Sequence, residues 1–327
     1  MRILITGGTG FIGYNLVPIL QDANHEVVCL VRETSNLRWL DSIGNIEYRY
    51  GDILDPESLG AAMQDVDCVV HMAGAVVTIR PEDFFRINHL GTRNVVEAAS
   101  RQSSTVSRLI MVSSLSAAGP SDRNQPKSES APNNPVSNYG KSKLAAERAV
   151  LDFQDRMQVG IMRPPIVYGP KDVGVQGFFQ LVQRGWQVKF MGKNPLLSMV
   201  YVTDLARALS LLTTAEYPSG SLYYVADPAI YSVPDIQDII AGAVGVDTRT
   251  IALPKSLLYP VATIADLVAR LRNKPSFLNL DKIREIAQPA WTCSSEKIAR
   301  DLNFHAQYHL AEGAAETVEW YRIHGWL

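Results

Sequence analysis

Tyr139 and Lys143 are the two residues whose types and spacing most clearly suggest chemistry. They form the single Tyr-x-x-x-Lys pattern in a chain that contains 13 tyrosines. Residues four apart lie on one face of a helix, so both side chains can enter one cleft. A free tyrosine has a pKa of about 10, and an adjacent ammonium or a cationic ring lowers it toward the range of a proton shuttle. The pattern predicts an acid/base pair, although the bare motif more often marks an exposed cross-turn pair on a helix.

A group of serines follows the apolar segment Leu109 to Val112. Ser113, Ser114 and Ser116 would lie at the carboxyl end of a parallel strand, where open α/β sheets bind ligands. A serine at that edge can donate a hydrogen bond to a substrate oxygen on which charge develops. Their position alone makes all three serines candidates for binding a substrate oxygen. The alternative for each of them is that it caps a turn.

A glycine-rich loop lies between the apolar segment Ile3 to Ile5 and the helical pattern Phe11 to Leu20. Glycine permits a tight turn and close backbone approach to a pyrophosphate, and the helix N-terminus that follows attracts the anion. This placement favours dinucleotide binding over a turn without a ligand. The predicted contacts are Gly7, Thr9, Gly10, Phe11, Ile12 and Gly13.

Arg32 follows the predicted strand Glu26 to Val31 and bears on the choice of dinucleotide. An acidic residue there would bind the ribose 2′-hydroxyl of NAD. A guanidinium instead suits the 2′-phosphate of NADP, and Ser35 and Arg38 can assist it. Glu33 keeps NAD open, because its carboxylate can turn toward the 2′-hydroxyl. The sequence therefore favours NADP and leaves NAD as the alternative.

The elements that must position these residues alternate between apolar strands and amphipathic helices. This rhythm predicts an α/β fold with a doubly wound parallel Rossmann sheet. We expect a dinucleotide-binding domain over residues 1–164 and a smaller mixed α/β substrate region over 165–327, with about 198–225 returning to the main sheet. The Ser-, Asn- and Pro-rich segment Pro120 to Asn138 is expected to be a surface loop.

Composition restricts the class of protein. The 327 residues are 46% hydrophobic and 20% charged with a net charge of −2, which excludes a disordered chain and disfavours nucleic acid as a partner. Three scattered cysteines predict neither a disulfide framework nor a metal site. We see no signal peptide and no spanning segment, so the expected localisation is cytoplasmic and the expected partner is a small-molecule substrate.

Leu257 to Leu271 forms an apolar helical pattern in which Asp266 and Arg270 are the few charged residues. Such a helix usually packs against the protein body or against a subunit partner, and it can also lie on a membrane. We therefore expect no membrane contact and leave a homodimer open.

Taken together, the motifs resemble the extended short-chain dehydrogenase/reductase family, within the NAD-dependent epimerase/dehydratase superfamily. The resemblance covers essentially the whole chain and is closest to the dihydroflavonol reductase and 3β-hydroxysteroid dehydrogenase branch. The motifs that carry it are the Thr6–Gly13 loop, Gly51–Asp55, His71–Gly74, Asn88-x-x-Gly91-Thr92-x-Asn94, Tyr139-x-x-x-Lys143, Arg163–Pro170, Tyr201–Ala206 and the C-terminal Thr317–Leu327.

The resemblance implies roles for further residues. Asp52 and Ile53 should lie beside the adenine, Ala73 beside the cofactor, and Asn88 should support the active-site backbone. Ser114 matches the catalytic serine of the family, alongside Tyr139 and Lys143, and both of the latter should also contact the cofactor. The segment that contains Pro164, Ile166 and Val167 should lie near the nicotinamide amide.

These expectations lead to a function and two alternatives. We expect an enzyme that uses NAD(P) to interconvert a secondary alcohol and a ketone. Ile166 stands where nucleotide-sugar epimerases usually carry an asparagine, and aromatic residues follow it, so the substrate should be small and largely apolar, with Ser116, Phe178 and Phe179 as candidate contacts. The first alternative is a sugar or nucleotide-sugar epimerase or dehydratase. The second is a catalytically silent dinucleotide-binding protein, against which the intact Ser114, Tyr139 and Lys143 argue.

Overall fold

The computed structural model describes residues 1–102, 104–276 and 279–327. Its main element is a seven-stranded sheet in which every pair of neighbours is parallel, in the order β10-β6-β5-β4-β1-β2-β3. The strands are β1 (Arg2–Thr6), β2 (Glu26–Val31), β3 (Ile46–Tyr50), β4 (Cys68–His71), β5 (Arg108–Val112), β6 (Gln158–Met162) and β10 (Ser221–Tyr223). The predicted doubly wound α/β fold is confirmed.

Helices follow most of the strands. They are α1 (Phe11–Asp22), α2 (Arg38–Asp41), α3 (Pro56–Ala62), α4 (Pro81–Phe84), α5 (Gly91–Arg101), α6 (Leu115–Ala118), α7 (Asn138–Leu151), α8 (Gln176–Gln183), α9 (Val202–Thr214), α10 (Val233–Val244), α11 (Leu258–Arg272), α12 (Leu280–Ile286), α13 (Glu296–Leu302) and α14 (Leu310–Ile323). A 3₁₀ turn, Lys255–Leu257, precedes α11. No helix in the described ranges is long and apolar enough to cross a membrane.

The main sheet is buried on both faces, which explains the continuous apolar runs of its strands. Ile3 and Ile5 of β1 point to one face, where they pack with residues of α1 and α9. Leu4 points to the other face, where residues of α3, α5 and α7 cover it. The strand pleat thus divides the core into two layers around the sheet.

The strand order reverses direction between β1 and β4, which are neighbours in the sheet although two strands separate them in the chain. Ligands of open α/β sheets bind in the crevice at such a point, beyond the carboxyl ends of the strands. The loops after these two strands meet closely, because a Cβ on Gly7 would lie 2.8 Å from the Ala73 nitrogen. Gly7 also has a φ of +79°, so both packing and conformation require glycine.

The remaining elements form smaller sheets. In one, β9 (Leu196–Tyr201) pairs with β7 (Ile166–Tyr168), β11 (Ile230–Ser232) and β13 (Ala290–Trp291); in the other, β8 (Trp186–Phe190) pairs with β12 (Arg249–Leu253). Residues of α8, α10 and α14 contribute a separate apolar cluster. The division at residues 164 and 165 stays a prediction, while β10 pairs with β6 in the main sheet.

One helical segment is irregular. A π-helical turn, Phe85–Leu90, lies between α4 and α5. Such turns are rare and frequently occur at functional sites. This one carries Asn88, whose side chain bonds to the backbone of Ala75 and to Ser142 of α7. The turn thereby ties the loop after β4 to the helix that carries Tyr139.

Candidate active site

The helix that carries Tyr139 and Lys143 begins at a network of side-chain caps. Ser137 accepts the Gly140 N–H at 2.9 Å, and the Asp281 carboxylate accepts the N–H groups of Asn138 (2.8 Å) and Tyr139 (3.1 Å). Carboxylates stabilise helix N-termini because they bind free N–H groups and oppose the helix dipole. Asp281 belongs to α12, so a late element of the chain fixes the first turn of α7.

Tyr139 and Ser114 lie next to one another. Both residues are partly exposed, and the Ser114 hydroxyl lies close enough to the Tyr139 phenol to influence its pKa. Ser114 also caps α6, where its Oγ accepts the Ser116 N–H at 3.1 Å. Ser114 therefore both caps α6 and lies beside Tyr139. Ser113, by contrast, is buried and donates its hydroxyl hydrogen to the Glu147 carboxylate.

The pKa of Tyr139 corrects one expectation from the sequence. Burial raises the pKa of this phenol to about 12; the neighbouring Ser114 hydroxyl opposes the shift, and the Glu285 carboxylate adds to it. The groups of the polypeptide therefore raise this pKa, whereas the motif predicted that an adjacent ammonium lowers it. The reason is that desolvation disfavours the charged phenolate more strongly than its neighbours favour it.

Lys143 is buried beneath the same site, with 5% of its surface exposed. Its Nζ donates a hydrogen bond of 2.7 Å to the carbonyl oxygen of Val112, the last residue of β5. Burial lowers the pKa of the ammonium to about 8, and the Glu147 carboxylate opposes the shift. The structure thus brings Ser114, Tyr139 and Lys143 together at the carboxyl end of β5.

A buried ion pair between Arg163 and Glu147 lies next to these three residues. It was not predicted from the sequence. Arg163 Nε and Nη2 donate to Glu147 Oε1 and Oε2 at 2.8 and 2.6 Å, and both side chains are 3% exposed. Arg163 also donates to Asn133 and to the Tyr224 hydroxyl. Glu147 lies one helical turn after Lys143, and this spacing was the sequence signal for it.

The glycine loop has the geometry of an anion cradle. Gly10 is the N-cap residue of α1, and no side chain in the described part of the chain caps this helix, so its first-turn N–H groups can bind a ligand. A Cβ on Gly13 would lie 2.5 Å from the Gly8 Cα, which keeps helix and loop in close contact. Thr9, Phe11 and Ile12 are partly exposed at the same place. These residues fit the pyrophosphate of a dinucleotide.

The residues predicted to contact the adenosine lie along the same sheet edge. Arg32 is exposed directly after β2, and its N–H is bonded to the Ser35 hydroxyl at 3.0 Å, which holds a tight turn. Asp52 follows β3 and accepts the Leu54 N–H, while Ile53 is buried against Gly91. The carboxyl ends of β1, β2 and β3 therefore present the predicted loop, arginine and acidic residue side by side.

Ala73 lies after β4 and is held by a buried hydroxyl and histidine. Its N–H donates to Thr6 Oγ1, which also bonds to His71 Nδ1 at 2.7 Å. The other ring nitrogen of His71 bonds to Thr92. Burial, with a contribution from the Lys143 charge, lowers the pKa of His71 to about 3. His71 is thus a neutral structural residue.

An apolar cavity opens next to the predicted nicotinamide segment. Pro164, which precedes β7, accepts the Leu115 N–H at 2.9 Å and so adjoins Ser114, and Val167 packs on the main core. The cavity encloses about 60 Å³. Its lining comprises Ile166, Tyr168, Val175, Phe178, Phe179, Leu197, Met199, Val233, Ile236, Ile240 and Leu310. Of its two adjacent phenylalanines, Phe178 is exposed and Phe179 is buried.

Known proteins resemble this chain, some of them over nearly its full length. Ceramide reductase of Caulobacter vibrioides is 32% identical, over 99% of this chain and 96% of that protein. Sterol demethylase protein B of Methylococcus capsulatus is 32% identical over 53% of each chain. The solved structure of MoeE5 in complex with UDP-glucuronic acid and NAD is 25% identical and covers 99% of this chain and all of that chain, with a TM-score of 0.79.

The family model of the NAD dependent epimerase/dehydratase family matches residues 3–226. The matched range includes the glycine loop, the Tyr139 and Lys143 pair and the Arg163–Pro170 segment, which are the parts of the chain gathered at the sheet edge described above. The chain belongs to the NAD dependent epimerase/dehydratase family.

Proposed function

We propose that this protein is an NAD(P)-dependent oxidoreductase that interconverts a ketone and a secondary alcohol on a largely apolar substrate. The observation that carries the proposal is the apolar cavity whose lining includes Ile166 and Phe178, in the segment that follows Pro164 along the chain. Burial of an apolar ligand in such a cavity contributes about 25 cal/mol per Å² to the free energy of binding. A diphosphate would find no hydrogen-bond donors or cations among the apolar lining residues to replace its bound water. The similarity to ceramide reductase supports the same substrate class.

We assign the proton transfer to Tyr139 and the binding of the reacting oxygen to Ser114. With a pKa raised to about 12, the phenol of the polypeptide carries its proton at neutral pH and is ready to donate it to a ketone oxygen. Ser114 donates a second hydrogen bond to that oxygen, which stabilises the charge that develops on it. A bound nicotinamide supplies or accepts the hydride.

The dinucleotide would be held by the residues of the sheet edge. The Gly7 to Gly13 loop binds the pyrophosphate, Asp52 and Ile53 flank the adenine, and Ala73 lines the path toward Lys143. Lys143 binds the nicotinamide ribose, and its pKa of about 8 leaves it mostly protonated at neutral pH. Pro164, Ile166 and Val167 would lie against the nicotinamide amide.

The cavity size indicates how the substrate is oriented. At about 60 Å³ it accommodates the apolar group next to the reacting carbon. A longer chain would leave the cavity past Phe178, where the wall is exposed, while Phe179 forms the floor. Ser116, whose N–H is bonded to Ser114, would contact the polar end of the substrate. We therefore propose a long-chain ketone or alcohol as the substrate.

For the cofactor we propose NADP in preference to NAD. Arg32 is exposed at the end of β2, where its guanidinium can form bidentate bonds to a 2′-phosphate. We expect wild type to bind NADPH more tightly than NADH, and Arg32→Ala to lose about 1.5–3 kcal/mol of NADPH affinity, as expected for hydrogen bonds to a charged group. Fluorescence titration of both reduced cofactors measures the difference.

A matched control for Arg32→Ala is Arg101→Ala, which removes another exposed arginine at the far end of α5. The control should bind both cofactors as wild type does. If wild type binds NADH and NADPH equally, or if Arg32→Ala changes both affinities alike, the assignment of Arg32 to a 2′-phosphate is wrong.

The substrate class is tested by thermal unfolding in the presence of NADP. A ligand at about 100 times its Kd should raise the Tm by about 3 °C or more, and we expect this for long-chain ketones and alcohols but not for UDP-glucose. Phe178→Ser should weaken the response, because it removes apolar lining. Ile323→Ser, which shortens an exposed side chain of α14 away from the cavity lining, should leave it unchanged.

The opposite pattern would favour a different activity. Stabilisation by UDP- or TDP-sugars, with no response to apolar alcohols or ketones, would make this chain a sugar-nucleotide epimerase or dehydratase.

A further inference from the structure

α11 packs in a way that reverses the usual distribution of side chains on a surface helix. Its buried residues are the small Ala262 and Ala269. Its large apolar residues are exposed, among them Ile264 at 63% and Leu271 at 78%. The exposed set of this segment comprises Leu257, Tyr259, Val261, Ile264, Leu267, Val268 and Leu271. The helix therefore turns its small residues to the protein and its large apolar residues outward.

Five of these exposed residues form one continuous stripe. Val261, Ile264, Val268 and Leu271 follow one another at spacings of three and four on α11, and Leu257, the N-cap residue of the helix, extends the same face by one turn. Helical geometry places this stripe on the side away from Ala262 and Ala269. The expected packing against the body therefore applies to the alanine side alone, and the apolar stripe faces outward.

The same segment is basic. Residues 255–276 contain four basic residues and a single acidic one, Asp266, in a chain whose total charge is −2. Asp266 accepts the Leu280 N–H at 3.3 Å and so faces α12. Arg270, Arg272 and Lys274 are exposed at the end of the helix. An outward apolar stripe with positive charge at its end is the pattern of a helix that lies in the interface of an anionic membrane.

We propose that α11 docks the protein on the anionic surface of a lipid bilayer, with the five-residue stripe buried among the headgroups. A second copy of the chain is the competing occupant of this face. In a twofold dimer the same patch meets itself, so two segments with an excess of three positive charges would face each other. Anionic lipid instead gains from this charge. The proposal reverses the expectation that membrane contact is absent.

Docking at this face would place the active site close to the membrane. α11 packs on α12, and α12 provides Asp281, which caps the Tyr139 turn, and Glu285, which accepts the Ser137 hydroxyl at 2.8 Å. One short helix thus separates the docking face from the catalytic helix. The inference depends on α11 alone and does not require the proposed substrate to be correct.

Vesicle flotation of the full-length protein tests the proposal without any substrate. We expect wild type to float with vesicles of phosphatidylcholine containing about 30 mol% phosphatidylglycerol and to bind vesicles of phosphatidylcholine alone much more weakly. The double variant Ile264→Glu, Leu271→Glu should reduce the partition coefficient by about 100-fold, because two inserted apolar side chains become charged. Both positions are exposed, so the fold should persist, which circular dichroism checks.

Ile323→Glu is the matched control, since it places the same charge at an exposed isoleucine of α14. It should float as wild type does. Absence of wild-type binding, equal binding to both vesicle types, or unchanged binding of the double variant would overturn the proposal. So would a wild-type dimer in sedimentation that the double variant converts to monomer without any vesicle binding, because a second copy would then cover the stripe.

Discussion

Tyr139→Phe should lower the turnover of the protein by about 100- to 10,000-fold, the usual contribution of a positioned general acid. The substitution removes the hydroxyl that neighbours Ser114 and retains the ring that packs 5.9 Å from Phe84, centroid to centroid. Dinucleotide affinity should stay nearly unchanged, because the glycine loop binds the pyrophosphate elsewhere. NADPH consumption with an apolar ketone found by thermal screening gives the rate, and fluorescence titration gives the affinity.

Two further variants make this result specific. Tyr259→Phe removes the hydroxyl of an exposed tyrosine on α11 and should leave both measurements as in wild type. Lys143→Ala should reduce both turnover and dinucleotide affinity, since its ammonium is buried at the end of β5 and is assigned to the ribose. If Tyr139→Phe keeps most of the wild-type rate, another group transfers the proton and the assignment of Tyr139 is wrong.

The features that the sequence predicted correctly are those encoded by local patterns. The apolar run before Gly7 and the helical period after Gly10 lie within one βα unit, and the structure shows β1, the loop and α1 at these places. The serines after Leu109 to Val112 were placed in the same way. Short-range patterning decides the type of each element, and the parallel sheet then brings their carboxyl ends to one edge.

Contacts between distant parts of the chain were not predictable. Asp281 caps the Tyr139 turn and Glu285 raises the pKa of Tyr139, yet both lie more than 140 residues further along the chain. No spacing rule connects them to Tyr139, because tertiary packing brings α12 to α7. The direction of the Tyr139 pKa shift was wrong for the same reason: it depends on how much solvent the fold removes.

Amphipathic pattern and actual burial also differ in α11. The apolar period of Leu257 to Leu271 correctly predicted a helix. It could not tell which side the protein covers, because the small alanines make the closest contact with the body and the large residues follow the opposite side. A periodic pattern shows that a helix has two faces, and the neighbouring elements decide which of them is buried.

Arg163→Met should lower the free energy of unfolding by about 3–5 kcal/mol, the cost of breaking a buried ion pair by removing one partner. The Glu147 carboxylate would stay buried with the Ser113 hydroxyl as its remaining partner among the side-chain contacts described for it. Arg163 also binds Asn133 and the Tyr224 hydroxyl, so their hydrogen bonds are lost as well. Urea unfolding followed by circular dichroism measures the loss.

Comparison with other pairs separates the buried charge from a general effect of losing an arginine. Arg93→Met breaks the exposed pair with Glu97 and should cost about 1 kcal/mol or less. The double variant Arg163→Met, Glu147→Met should be more stable than Arg163→Met alone, because no unpaired charge remains in the core. The proposed role of the pair is wrong if Arg163→Met lowers the free energy of unfolding no more than Arg93→Met does. It is also wrong if adding Glu147→Met lowers the free energy of unfolding further. If the ion pair has the expected effect, it stabilises the elements that carry the catalytic residues. Glu147 lies one helical turn from Lys143, and Ser113, which donates to Glu147, directly precedes Ser114.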